Sequence, residues 1–221
     1  MRPLWIGVLA TALAAACAHS PAPVTEATHT SPSAHPTTVN PANIKRLSRE
    51  LPPGYEVTAA ASPRLIFGLG ATATAQPAPC AVLADPGDGR HQSAQGVSGS
   101  GEGGIVDAVV VAVRPGPVVP GSDVVAGCAQ WTMSDGHTTA GIRLIEAPRI
   151  DGAQTLGMVA DVRTSVESGT EIDSRTYTFV AYLGDYYAFT TLTTDPGSML
   201  PPLPPRFAAD LLVKTVSTLR G

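Results

Sequence analysis

Two turn dipeptides, Asp135-Gly136 and Gly184-Asp185, constrain this chain more than any other feature in it. Ala129 to Ser134 and Thr138 to Glu146 flank the first; Arg175 to Leu183 and Tyr186 to Thr194 flank the second. Arms rich in β-branched and aromatic residues around so short a connection close antiparallel hairpins. Between the hairpins, Thr155 to Val166 reads as a further strand, and Ile105 to Val113 is a β-branched run without helical period, expected to be a buried strand. Tyr177, Phe179 and Ala181 alternate with Thr176, Thr178 and Val180, the period of a strand covered on one face.

Helical signals stand at the two ends of this β-rich stretch. Asn40 suits an N-cap and Pro41 the first helical position, and Ile44, Leu47 and Leu51 form one stripe before Pro52-Pro53-Gly54 stops it. The chain closes on a helix from about Pro205 to Leu219, with an apolar face of Phe207, Leu211, Leu212, Val216 and Leu219. Pro79 to Ala84 reads as a helical turn ended by Asp85-Pro86-Gly87, followed by a Gly-rich loop up to Ile105. The expectation is an α+β fold in a single domain, an antiparallel sheet packed by N- and C-terminal helices.

The first residues say where such a domain works. Arg2 precedes an apolar run from Leu4 to Ala16, too short to span a bilayer, that ends in Leu13-Ala14-Ala15-Ala16-Cys17. This is the layout of a bacterial secretory signal whose cysteine becomes the lipid-modified first residue. Leu13 sits one place early for a lipobox, and a signal peptidase could also cut after Ala16 or after Ala18. The expected division is a signal peptide over 1–16, a lipidated Cys17 with a tether over 17–40, and a domain over 41–221. Removal of Cys17 from the count leaves Cys80 and Cys128, an even pair in an oxidising compartment, expected to form a disulfide rather than two buried thiols.

The tether is dense in Pro, Ser, Thr and Ala and nearly free of large apolar side chains, so it cannot offset its own ordering entropy. In a polyproline conformation it would reach roughly 70 Å. After processing, 13 basic residues face 18 acidic ones with no clustered sign, which argues against nucleic acid and against electrostatic membrane attachment. The membrane is reached through the lipid anchor alone.

Several stretches together resemble the mycobacterial lipoproteins that carry a domain like the extracellular sensor domain of the serine/threonine kinase PknH, or a related uncharacterised mycobacterial lipoprotein family. They are Leu51-Pro52-Pro53-Gly54-Tyr55, Pro79-Cys80-Ala81-Val82-Leu83, Cys128-Ala129-Gln130-Trp131-Thr132, the hairpin Val180 to Tyr186 and the closing helix, over roughly residues 41 to 221. The resemblance implies an α+β fold with a cleft and a role in ligand sensing at the envelope, and supplies no catalytic residues. The kinase sensor carries two disulfides where this chain has cysteines for one, and this chain has no kinase domain, so a signal would leave through an envelope protein partner.

No catalytic motif stands out. Gly99 to Gly104 and Gly68 to Ala73 each look like a phosphate loop, but neither opens a helix, and both read as plain loops. Gly96-Val97-Ser98-Gly99-Ser100 lacks the closing glycine of a nucleophile elbow. A serine hydrolase would need Ser98 beside His91 or His137, with Asp107, Asp123 or Asp161 orienting the base. Glu167, Glu171 and Asp173 share one acidic stretch, better explained by a solvated turn than by a metal, and no cofactor is expected. The remaining lead is aromatic. Tyr177, Tyr182, Tyr186 and Tyr187 crowd the second hairpin; core packing claims most of them, and the rest would line a ligand groove or meet a partner. The function expected is non-catalytic binding of a small molecule, lipid or glycan, with a protein-protein accessory module as the alternative.

Overall fold

The computed structural model describes residues 38–63, 69–70, 72–166 and 169–221. The signal segment, Cys17 and nearly all of the tether lie outside the described residues, as does Glu167. Among the described residues nine strands form one antiparallel sheet: β1 Glu56–Ala60, β2 Thr74–Gln76, β3 His91–Gly101, β4 Gly104–Val113, β5 Gln130–Ser134, β6 Thr138–Ile145, β7 Gln154–Ser165, β8 Glu171–Leu183 and β9 Tyr186–Thr194. Their spatial order is β1-β3-β4-β9-β8-β7-β6-β5-β2. The helices are α1 Ala81–Ala84, α2 Ser122–Gly127 and α3 Pro205–Arg220, with 3-10 helices at Pro41–Arg49 and Ala78–Cys80. A single domain on an antiparallel sheet with few helices meets the α+β expectation.

The helix expected at the start of the domain is present and is a 3-10 helix over Pro41–Arg49. Its cap is the expected one, with the Ala42 N–H donating to Asn40 Oδ1 at 3.2 Å. Asn40 N–H also donates to the Leu219 carbonyl (2.8 Å) and Asn43 Nδ2 to that of Thr218 (3.1 Å), tying the segment to the end of α3.

A larger correction concerns residues 91–101. Glycines and serines there suggested a loop, yet they form β3, paired along its length with β4. Gly96 is what the pairing needs: a Cβ at that position would run into the Ala108 carbonyl and Val109. The stretch Gly99 to Gly104, which looked like a phosphate loop, is the end of β3, the turn Glu102-Gly103 and the start of β4.

A second correction concerns β8, expected to be covered on one face. Pairing places Val109, Phe189, Val180 and Leu156 in one row across β4, β9, β8 and β7, and all four join one apolar cluster. The neighbouring row, Val110, Ala188 and Ala181, belongs to a separate cluster on the opposite face. Successive side chains of a strand point to opposite faces, so the second half of β8, from Thr178 to Leu183, is buried on both, while Glu171 to Asp173 at its start are exposed. The first cluster holds Trp131, Met133, Leu83 and both disulfide cysteines. The second holds Ile44 and Leu47 of the opening helix and Leu211, Leu212, Val216 and Leu219 of α3. On that face Thr190 Oγ1 donates to the Ala208 carbonyl at 2.7 Å.

Candidate functional site

Cys80 and Cys128 are bonded to each other and buried. The bridge fastens the segment carrying α1 to the end of α2, and α1 leads directly into Asp85-Pro86-Gly87-Asp88-Gly89. The Asp85 carboxylate organises that turn. Its Oδ1 accepts the Gly87 N–H and its Oδ2 the Gly89 N–H, both at 3.1 Å. Oδ1 also lies 2.7 Å from His91 Nε2, whose side chain is 15% exposed. Gly87 is required here, because a Cβ at that position would occupy the space of the His91 ring. Asp88 takes φ +49, a left-handed conformation that Asp tolerates better than most residues.

Above this turn lies a half-enclosed cavity of about 390 Å3. Asp85, Asp88 and His91 supply its polar side; Ala81, Val82, Ala84 and Met133 are among its apolar lining. Pro63, Gly70 and Ala73, from the connection between β1 and β2, form another part of its wall. That wall is held by Asp135. Oδ2 of Asp135 accepts the Gly70 N–H at 2.6 Å while Oδ1 accepts that of Thr138 at 2.9 Å. Those N–H donors, Gly70 first, keep the Asp135 carboxyl below its usual range, because they favour the charged form.

The four tyrosines divide by strand period. Tyr182 and Tyr187 are opposite one another across β8 and β9 and point into the first cluster. Tyr177 and Tyr186, half-buried, pack against the second. The Tyr187 hydroxyl donates to the Pro63 carbonyl at the cavity wall, and its ring meets the His91 ring edge-on, centroids 6.4 Å apart. Burial raises the pKa of both Tyr182 and Tyr187, so each is a neutral phenol at neutral pH. Among the described residues the buried Tyr182 hydroxyl has no hydrogen-bond partner, nor have Thr178 Oγ1 and Trp131 Nε1.

The hydrolase constellation is not assembled. His91 and Ser98 share β3 seven positions apart, roughly 20 Å at the rise of a strand. Ser98 is paired with Asp107, whose Oδ2 accepts from Thr191 Oγ1 at 2.7 Å. His137 is exposed in the turn between β5 and β6, with β4, β9, β8 and β7 between β6 and β3. Asp161 pairs with Arg175 at 2.6 Å, and Asp123 lies 3.5 Å from the Ser122 hydroxyl. Glu171 and Asp173 face Arg163 at 3.4 and 3.1 Å, so that acidic stretch is an ion-pair ladder on an exposed sheet face.

Asp85 and Asp88 were read from sequence only as a helix stop and its loop. The signal available was the alternation of Asp and Gly before a histidine, which places one carboxylate on two turn N–H groups and the ring.

Among solved structures the chain is similar to an uncharacterized protein, an Rv0999 ortholog, from Mycobacterium smegmatis. The identity is 20% and the TM-score 0.60, over 83% of this chain and 98% of that one. It is also similar to the extracellular domain of PknH from Mycobacterium tuberculosis, at 12% identity and TM-score 0.43, over 83% of this chain and 92% of that one. These mycobacterial neighbours are of the kind the resemblance in the residues named. No curated protein matches the chain. The family model described as a domain of unknown function, DUF5642, matches residues 40–220, and the chain belongs to that family.

Proposed function

We propose that this protein is exported, anchored through a lipid on Cys17, and that its domain binds a small ligand outside the cytoplasm without transforming it. The observation that carries the reading is the cavity of about 390 Å3, a volume within the range of small-molecule sites, with its lining divided between a few polar groups and apolar side chains. Such a division orients a ligand by its polar end and holds it by its body. The test is native mass spectrometry of the full mature chain purified gently from its own envelope, beside the variant Val82→Trp, which fills the cavity. An adduct of defined mass on the wild type that disappears in the variant is expected. No adduct, or one that survives Val82→Trp, overturns the reading.

One observation favours the accessory-module alternative. Gln76, Gln130, Thr132 and Arg143 line a shallow depression of about 420 Å3 at the β2 end of the sheet, where Gly141 leaves the surface bare. Cross-linking in cells that joins this face to one defined envelope protein would support that function; cross-links scattered over the surface would count against it.

A further inference from the structure

Resting on that reading of the cavity, we propose that its ligand is an ammonium compound: a cationic nitrogen on a short apolar body, with the charge set against Asp88 and Asp85. Among the described residues that line the cavity there are two carboxylates and no Lys or Arg. The two carboxylates have different roles. Asp85 is spent on the turn, with both oxygens accepting backbone N–H groups and one of them meeting His91. It is a fixed negative charge that cannot swing out. Asp88 is exposed and makes no side-chain hydrogen bond or ion pair among the described residues, so its oxygens remain free to accept from a ligand.

His91 points the same way. Its Nε2–H is donated to Asp85 Oδ1 at 2.7 Å, which holds that carboxylate at the cavity. The polar side of the cavity therefore offers acceptors and negative charge, which attract an ammonium and repel a carboxylate or phosphate. Val82, Ala84 and Met133, in the same lining, give the body of the ligand apolar contacts. Met adapts its shape to what it touches, which suits a hydrocarbon or an aromatic ring.

Three probes sharing one body separate charge from shape: phenethylamine, 2-phenylethanol and 3-phenylpropionate. Each is titrated at neutral pH into the full mature chain, with methyl resonances of Val82, Ala84 and Met133 followed by NMR. Phenethylammonium is expected to bind about tenfold or more tightly than phenylpropionate, with the alcohol between them. Asp88→Asn should bring amine and alcohol affinities together without weakening the alcohol; Asn tolerates the left-handed backbone of Asp88, so the turn keeps its shape. Binding of the alcohol with no preference for the amine, or with preference for the carboxylate, overturns the proposal while the cavity remains a binding site. If no probe moves those methyl resonances, the proposal and the reading of the cavity beneath it both fail.

Discussion

Tyr182 and Tyr187 face each other across two strands, yet their hydroxyls end in opposite states, one without a partner among the described residues and one bonded to the Pro63 carbonyl. The difference predicts opposite responses to the same change. Tyr187→Phe should lose about 1 kcal/mol, because the Pro63 carbonyl loses its donor. Tyr182→Phe, and Thr178→Val for the same reason, should leave stability unchanged or raise it by up to about 1 kcal/mol, since each removes a desolvated polar atom that gains nothing from burial. Denaturant unfolding of the three variants against wild type reads this directly. Asp135 predicts a pH dependence. Its folded pKa lies below the unfolded one, so the stability it contributes is present above the unfolded value of about 3.8 and is lost as pH falls through the folded value. Asp135→Asn should lower the melting temperature at neutral pH and flatten its decline below about pH 4, as a series of thermal melts would show. Sequence placed Asp135 in a turn, and it is there; that its second oxygen holds Gly70, 65 positions away, is a matter of tertiary placement.

Among the elements, β8 and β9 were legible because a compact turn and alternating residues are local signals that tertiary packing did not override. β3 was not. Its Gly and Ser content gives little strand preference, and its pairing is decided by β1 and β4 on either side, with Gly96 admitting the close approach of β4. Threonine misled in the same way at Thr176 and Thr178, which read as a solvated face. Both are buried, because α3 and the opening helix contribute to the cluster on one side of the sheet while the bridge-bearing segment contributes to that on the other. The disulfide closes a separation of 48 residues and holds the α1 segment that borders the cavity. Replacing both cysteines by Ala should cost about 3 to 5 kcal/mol on the chain-entropy account, and weaken ligand retention beyond what that loss implies. Chemical denaturation of the double variant, compared with the wild type with and without reductant, measures the first part.

At the scale of the whole molecule, no helix among the described residues is long and apolar enough to cross a membrane. If Cys17 carries the anchor, Cys17→Ala should move the protein from the detergent phase to the aqueous phase on phase partitioning, with the melting temperature of the folded domain unchanged. Partitioning that does not respond would mean that processing removes or ignores this cysteine. By itself the sequence determined the cysteine pair, both compact hairpins and the closing helix. All of these rest on simple sequence signals: hydrophobic periodicity, turn chemistry, and an even cysteine count. Only the tertiary structure decided that β3 exists, that the centre of the sheet is buried on both faces, and that Asp85, Asp88, His91 and Met133 line one cavity. Those facts depend on residues far apart in the chain being brought together, and the free energy that does so comes from two buried clusters whose members no local window contains.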